Sequence, residues 1–270
     1  MRRSIELIPI IRQVYRYAAL HRFKTRGYSL FWGVYKTFEE AILAAPKTKK
    51  VGYNCPELAL EYQQMLVQNN WENSGRTVAA HDYPLLFWLN SIFDRGEGKT
   101  IFDFGGNVGI HFYSYSKYLN YPPDLKWTIC EVPEIATIGR QIANQRDVNN
   151  LDFTCEFKDV ENNNVLIGSG SIQYVDDLSS ILPIQGKPKH LLINRLPLYD
   201  GDRFVTLQNG GKVFYPQYVF NKTEFISGLE NIGYKLVDIW KNQGDSCIIP
   251  LYLDRSVNNY YGLYFQLNRE

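Results

Sequence analysis

The pattern of apolar residues changes its period close to residue 100. Before that point, leucine and aromatic residues recur every three or four positions in 56–71 and 81–93, which indicates helices. From Thr100 onwards, short apolar runs typical of strands alternate with helix-like stretches. Strands that alternate with helices predict a doubly wound α/β fold, with a mainly parallel sheet covered on both faces. We therefore expect a helical N-terminal extension or cap at 1–95 and a sheet domain at 96–270.

The alternation of strands and helices changes at the end of the chain. A helix that ends near Ile232 precedes a strand at 234–240, and a long loop then leads to a last strand at 261–267. A strand that returns after such a loop favours an antiparallel pair at the edge of the sheet. We expect the last strand to run antiparallel to the others.

The first 30 residues differ in charge from the rest of the chain. One acidic residue, Glu6, accompanies seven basic residues, which are Arg2, Arg3, Arg12, Arg16, Arg22, Lys24 and Arg26. Apolar residues lie between them, and the pattern predicts a basic amphipathic helix that is bent at Pro9 or begins there. Such an arm can lie on an anionic membrane surface, pack on its own domain or contact a second copy in a homodimer. The sequence leaves these alternatives open.

Composition argues against several classes of function. The formal net charge of +1 gives no support for a nucleic-acid partner. The four cysteines form no CxxC pair and have no histidine at metal-ligand spacing, so we expect reduced thiols and no metal site, with Cys130 and Cys155 in buried strands. No secretory signal is visible, and no run approaches the ~20 apolar residues of a membrane span. We expect a cytoplasmic protein, associated with a membrane if the arm binds lipid.

The most informative motif follows the first predicted strand. Residues 100–109 read Thr-Ile-Phe-Asp-Phe-Gly-Gly-Asn-Val-Gly, so that Asp103 ends a strand and precedes a turn of Gly105, Gly106, Asn107 and Gly109. The pattern after the strand predicts a helix at about 107–119. Glycines let a ligand lie against bare backbone where the next helix begins, which is typical of a nucleotide-binding turn. Asp103 would repel a pyrophosphate, so we expect a ligand with a cationic amino group or a sulfonium.

The ends of the next predicted strands add polar residues to the same edge of the sheet. Glu131 ends the second strand, where a carboxylate is placed to accept hydrogen bonds from both ribose hydroxyls. Asp159 follows the third strand and is a candidate for contact with an adenine amino group. Ser169 and Gly170 follow the fourth, where small residues let the backbone approach a ligand. Arg195 follows the fifth, where it either holds an anionic substrate or pairs with a carboxylate.

The turn from Asp103 to Gly109, taken with Glu131, resembles the first two motifs of the class I methyltransferases that use S-adenosyl-L-methionine. Further segments extend the resemblance to a family of bacterial proteins classed as methyltransferases and often encoded among surface-polysaccharide genes. These segments are 31–41 (Phe-Trp-Gly-Val-Tyr-Lys-Thr-Phe-Glu-Glu-Ala), 131–133, 169–174 and 194–197. The resemblance spans about residues 30–268, and it implies a Rossmann-like sheet of seven strands with a reversed last strand.

The resemblance also implies a cofactor, S-adenosyl-L-methionine, and roles for the residues around it. Asp103 and the glycine turn lie against its methionine part, Glu131 binds its ribose, Asp159 reaches its adenine, and Ser169 and Gly170 border its methyl group. The implied acceptor is a sugar or glycan precursor. Because the sulfonium is already activated, the protein mainly aligns donor and acceptor. A hydroxyl acceptor also needs a base, for which the candidates are His81, His111 and Asp159.

Two other functions remain open on the sequence. A nicotinamide-dependent oxidoreductase shares the strand, the turn and the ribose acid, but GxGxxG is absent and Asp103 precedes the turn. A non-catalytic nucleoside-binding scaffold of a glycan-assembly complex, docked through residues 1–30, has the same fold.

Overall fold

The computed structural model describes residues 9–25, 27–68 and 78–268. Residues 1–8 and 26 of the predicted basic arm lie outside this description. The helices of the described residues are α1 (Pro9–Thr25), α2 (Phe38–Leu43), α3 (Pro56–Gln68), α4 (Tyr83–Asp94), α5 (Ile110–Tyr115), α6 (Pro133–Gln145), α7 (Leu178–Ile181) and α8 (Lys222–Asn231). Single 3₁₀ turns lie at Ala80–Asp82, Phe157–Val160, Ile172–Tyr174 and Leu253–Arg255.

The strands belong to two sheets. In chain order they are β1 (Leu30–Tyr35), β2 (Lys50–Val51), β3 (Thr100–Phe104), β4 (Lys126–Cys130), β5 (Leu151–Thr154), β6 (Val165–Ser169), β7 (His190–Leu196), β8 (Leu198–Tyr199), β9 (Phe204–Asn209), β10 (Val213–Asn221), β11 (Tyr234–Asn242) and β12 (Tyr260–Leu267). The pattern of apolar runs predicts the seven strands of the larger sheet. It does not predict that other strands form a second, smaller sheet.

The chain divides into two compact units that interleave along the sequence. The small unit comprises the N-terminal segment up to Tyr53 together with Pro197–Lys222 and Gly244–Tyr260. The large unit comprises Asn54–Leu196, Thr223–Gln243 and the segment from Tyr261 onwards. The predicted domains, 1–95 and 96–270, follow the order of the chain instead, and that division stays a prediction.

The large unit contains a seven-stranded sheet in the order β11-β12-β7-β6-β3-β4-β5. Strand β3 is parallel to β4 and β6, and the parallel pairing continues from β4 to β5 and from β6 to β7. Strand β12 runs antiparallel to β7. This topology confirms the predicted fold class, a doubly wound and mainly parallel sheet with an antiparallel last strand.

The central strands of this sheet are buried on both faces. Ile101 belongs to a core that includes Leu85 of α4 and Ile135 of α6, whereas its neighbour Phe102 packs edge-to-face on Phe157, with the ring centroids 5.8 Å apart. Successive side chains of a strand point to opposite faces, so β3 is covered on both. The near-continuous apolar sequence of β3 and β6 follows from this burial.

The small unit contains the second sheet, in the order β1-β9-β10-β2, with β8 paired to β10. Strands β1 and β10 both run antiparallel to β9. Helix α1 packs on this sheet through Phe23, whose ring stacks on Phe214 with centroids 5.1 Å apart. The N-terminal part of the chain therefore contains strands as well as the predicted helices, because the apolar residues of β1 pair with β9, far away in sequence.

One cysteine differs from its predicted environment. Cys130 is buried in β4 as expected, but Cys155 lies after the end of β5 and is exposed. The strand ends at Thr154, three residues before the predicted end at 157, so the expectation that Cys155 lies in a buried strand was wrong. Among the described helices, none has both the length and the apolar content that crossing a bilayer requires.

Candidate functional site

The turn between β3 and α5 has a backbone that few residues other than glycine adopt. Gly105, Asn107 and Gly109 have φ values of 73°, 60° and 100°. A Cβ on Gly106 would lie 2.5 Å from the carboxylate of Asp103, so the turn passes directly over that side chain. Because alternate residues are left-handed, the helix begins at Ile110 rather than at the predicted 107. The result is an irregular loop of exposed peptide groups at the carboxyl end of β3.

Asp103 is fully buried beneath this loop. Its Oδ2 accepts a hydrogen bond from Trp127 Nε1 at 3.3 Å and lies 3.1 Å from His111 Nδ1. A buried carboxylate needs such partners, since an isolated charge in the interior is costly. The sequence predicts a cationic ligand at Asp103. In the structure the side chain of His111 lies next to this carboxylate instead.

Glu131 follows directly after β4 and is fastened to the same turn. Its Oε1 accepts the N–H of Asn107 at 3.1 Å, and its Oε2 accepts the N–H of Val132 at 3.0 Å. The pKa of Glu131 is raised to about 7. Burial is the main cause and the charge of Asp103 adds to it, whereas the two N–H donors lower the pKa by a smaller amount. The structure thus brings the predicted ribose acid and the predicted glycine turn into direct contact.

A cluster of polar side chains lies around His111. Burial lowers the pKa of His111, but the charge and hydrogen bond of Asp103, with the charge of Asp82, outweigh it, so that the pKa is raised overall. The His111 ring stacks on Tyr115, with centroids 5.3 Å apart. The Tyr115 hydroxyl and Asp82 Oδ1 are buried and have no hydrogen-bond partner among the described residues. Sequence reasoning missed Asp82 and Trp127, because no motif marks them.

The other predicted base, His81, lies in the 3₁₀ turn before α4. Its Nε2 is 3.7 Å from Asp82 Oδ1. Its backbone carbonyl accepts a hydrogen bond from Asn194 Nδ2 at 2.9 Å, and Asn194 is itself fully buried in β7. This bond fastens the turn that carries His81 and Asp82 to the carboxyl end of a central strand.

The ends of β6 and β7 also contribute to this edge. Gly170 has a φ of 73°, and its N–H donates to the carbonyl of Asn194 at 2.9 Å. A Cβ on Gly170 would lie 3.6 Å from Nη1 of Arg195, so the guanidinium covers the bare backbone next to Ser169. Ser171 connects this segment to the turn after β3, because its Oγ donates to the carbonyl of Phe104 at 2.5 Å.

Asp159 lies in the 3₁₀ turn after β5 and is exposed. Its Oδ2 accepts a hydrogen bond from Thr154 Oγ1 at 2.5 Å. The structure therefore shows Asp159 bonded to the end of β5, and it shows no contact between Asp159 and the glycine turn. Its predicted role with adenine stays a prediction.

These groups favour some ligands over others. Carboxylates of Asp103 and Glu131 lie on either side of the turn, where they disfavour a pyrophosphate and favour a cationic centre next to a diol. Within the described ranges, no group of three or more His, Cys, Asp or Glu side chains is arranged to hold a metal ion. The arrangement fits a nucleoside that carries a positive charge near its sugar.

Known proteins resemble this chain in fold. No protein-family model and no curated protein matches its sequence. A Listeria monocytogenes structure assigned as an S-adenosylmethionine dependent methyltransferase superposes with a TM-score of 0.50 at 11% identity, over 71% of this chain and 100% of that one. At this identity the likeness shows the fold alone.

Two further solved structures resemble the chain more weakly. The 1,6-didemethyltoxoflavin-N1-methyltransferase of Burkholderia thailandensis, solved with S-adenosylhomocysteine, has a TM-score of 0.47 at 12% identity, over 81% of this chain and 92% of that one. A SAM dependent methyltransferase from Aquifex aeolicus has the same TM-score and identity, over 79% of this chain and 99% of that one.

Proposed function

We propose that the protein binds S-adenosyl-L-methionine and transfers its methyl group to a small-molecule acceptor. The observation that carries the proposal is the hydrogen bond from the Asn107 N–H to Glu131 Oε1. It joins the glycine turn after β3 to the acid after β4, at the edge where open α/β sheets bind nucleosides. The resemblance of the motifs to class I methyltransferases and the fold shared with such enzymes support the same function.

In this proposal each part of the site has one task. The turn of Gly105, Gly106, Asn107 and Gly109 lies along the methionine part of the cofactor, with the charge of Asp103 beneath it. Glu131 accepts from the ribose hydroxyls, and Asp159 contacts the adenine. Ser169 and Gly170 border the methyl group. When bound, the cofactor would supply a methyl group on a sulfonium, whose sulfur leaves as the neutral thioether of S-adenosylhomocysteine, so that the protein has to align the acceptor and exclude water.

His111 is the best placed of the three candidate bases. Its Nδ1 faces Asp103, which leaves Nε2 as the ring nitrogen that can accept a proton from a hydroxyl. Its side chain is 14% exposed, so that the ring is partly accessible. Asp103 then has the role of the orienting acid, since it fixes the ring and stabilises the imidazolium. His81, beside Asp82, is the alternative base.

The acceptor in this proposal is a sugar or glycan precursor, as the resemblance to the polysaccharide-associated family suggests. Contact of the N-terminal arm with an anionic membrane or with a second copy belongs to the same proposal. The structure supports it through α1, whose described part carries Arg12, Arg16, Arg22 and Lys24 and no acid.

The test is isothermal titration with S-adenosylhomocysteine, the product of the cofactor. We expect binding by the whole chain, and a loss of about tenfold to a hundredfold in Glu131→Gln, because hydrogen bonds to a charged group contribute about 1.5–3 kcal/mol. Glu134→Gln is the matched control, since Glu134 is exposed in the first turn of α6. Failure to bind, with NADH bound instead, would favour an oxidoreductase and refute the proposal.

A further inference from the structure

The small unit contains a cavity that the proposed function does not use. Its volume is about 760 Å³, and it lies between α1, the strand β1 and the loop at 250–252. Arg12, Gln13 and Arg16 line it from the helix, and Trp32, Tyr35 and Tyr252 line it from the other two sides. The volume is within the range of sites for small molecules, about 300–1,000 Å³.

In its first two turns, helix α1 turns basic residues towards the protein and apolar residues outwards, the reverse of a usual amphipathic helix. Residues at the spacing of Arg12, Arg16 and Phe23 share one face of a helix, and Phe23 is buried on the sheet. The opposite face carries Ile10, Val14 and Tyr17, whose exposed fractions are 75%, 64% and 74%. The two arginines therefore point to the cavity side, whereas the apolar residues face outwards.

Neither arginine on the cavity side is neutralised by the described residues. No ion pair joins Arg12 or Arg16 to an acid in the parts of the chain that the structure describes. Among the described residues that line the cavity, none is acidic. Two guanidinium groups that face one cavity without a carboxylate partner among the described residues favour an anionic ligand, since guanidinium binds phosphate and carboxylate through paired N–H donors.

The aromatic wall is held in place by the backbone of β1. Gly33 has a φ of 78°, and a Cβ there would lie 2.3 Å from the hydroxyl oxygen of Tyr35, so that only glycine lets this ring fold back over the strand. Thr206 Oγ1, fully buried, donates to the carbonyl of Gly33 at 2.8 Å and holds the irregular backbone. Burial and the neighbouring Tyr252 raise the pKa of Tyr35, which keeps its hydroxyl protonated.

We propose that this cavity binds a small anionic saccharide, a sugar ring that carries a phosphate or a carboxylate group. Arg12 and Arg16 bind the anion, and Trp32 and Tyr252 present flat apolar faces to the C–H face of the ring. Gln13 and the tyrosine hydroxyls bind the ring hydroxyls. Use of the saccharide as methyl acceptor rests on the proposed function, whereas its binding here does not.

The test uses the full chain and four probes: glucose 1-phosphate, glucuronate, glucose and inorganic phosphate. We expect glucose 1-phosphate and glucuronate to bind by calorimetry and to change the tryptophan fluorescence. Glucose and phosphate alone should each bind at least about tenfold more weakly, because each makes only half of the contacts. The saccharide assignment would be overturned if phosphate alone bound as tightly as glucose 1-phosphate. It would also be overturned if uridine monophosphate bound more tightly than either anionic sugar.

Variants show whether the binding belongs to this cavity. We expect the binding of the anionic sugars to weaken by about tenfold in each of Arg12→Gln, Arg16→Gln and Tyr252→Ala. Arg22→Gln is the matched control, because Arg22 is exposed on the same helix. An equal loss in Arg22→Gln would overturn the site, because it would indicate a general charge effect. Binding of phosphatidylserine vesicles through Arg12 and Arg16, without any sugar binding, would overturn it in favour of a lipid surface.

The two functions fail separately. Titration with S-adenosylhomocysteine addresses the large unit, and titration with glucose 1-phosphate addresses the small unit. A chain that binds the first probe and not the second refutes the saccharide site alone. A chain that binds the second and not the first refutes the proposed methyl transfer alone.

Discussion

Glu131 binds its proton more tightly in the folded chain than in the unfolded one. Its pKa is about 7 in the fold, against the ordinary value of 4.5 for a glutamate, so its contribution to stability is complete below pH 4.5 and is lost as the pH rises through about 7. The difference in pKa corresponds to at most about 3 kcal/mol. We therefore expect the melting temperature of the wild type to fall between pH 5 and pH 8 more steeply than that of Glu131→Gln.

Thermal melts of both proteins across this range measure the effect. Other groups titrate in the same range, so the difference between wild type and variant is the quantity to follow. Glu134→Gln should reproduce the wild-type curve, because Glu134 is exposed. Parallel curves for wild type and Glu131→Gln would show that Glu131 ionises normally in the fold.

Gly106 is required by the close approach of the turn to Asp103. A methyl group there would lie 2.5 Å from a carboxylate that is fully buried and bonded to two side chains, and that carboxylate has no room to move away. We expect Gly106→Ala to lower the free energy of unfolding in urea by about 1–3 kcal/mol. We also expect it to weaken the binding of S-adenosylhomocysteine by more than about tenfold. Gly27→Ala, which meets nothing within 4 Å, is the control. Unchanged binding in Gly106→Ala would argue against the turn as part of the cofactor site.

Single residues of the site were partly predictable from the sequence. The turn is recognisable in the sequence from Gly105, Gly106 and Gly109, because few other residues adopt its backbone. The partners of Asp103 do not, since Trp127 and His111 become neighbours only when two strands and a helix assemble. Asp82 has no local signal either, because its position depends on the contact between a 3₁₀ turn and β7.

Strand β7 positions the turn before α4 through one side chain. Asn194 donates to the His81 carbonyl, and its Oδ1 accepts from Trp240 Nε1 at 3.1 Å and from Asn242 Nδ2 at 2.9 Å. We expect Asn194→Ala to destabilise the fold by about 2–4 kcal/mol, because it leaves buried polar groups without partners. Hydrogen exchange should show faster opening of the first turn of α4. Asn90→Ala, at an exposed position of α4, is the control, and equal effects of the two changes would contradict this role.

The order of strands and helices was predictable because the strands of the large sheet are apolar and bounded by turns. The helix after β3 was predicted too early, since its periodicity extends back into the turn, where three positive φ values prevent helical bonding. The second sheet was not predictable in the same way. Strand β1 pairs with β9, more than 170 positions away, and no local pattern encodes such a pairing.

At the scale of the whole molecule, the outward face of α1 is the surface from which we predict membrane contact. Ile10, Val14 and Tyr17 are exposed, and the described helix carries only basic charges. We expect the protein to sediment with phosphatidylserine vesicles, through both apolar contact and charge. Ile10→Asp with Val14→Asp should reduce the bound fraction several-fold, and Arg22→Gln only slightly, since it removes one charge near the surface. A dimer that the same double change dissociates, without vesicle binding, would favour a second copy as the partner.

The chain passes between the two units five times, after residues 53, 196, 222, 243 and 260. No single cut therefore releases the small unit as one contiguous fragment, and no fusion at one end of a gene can add it to a bare seven-stranded enzyme. Strands β8, β9 and β10 enter it as an insertion that depends on an earlier piece of the chain. A variant that keeps the glycine turn and lacks the small unit accordingly needs three separate deletions, one in each of the segments 1–53, 197–222 and 244–260.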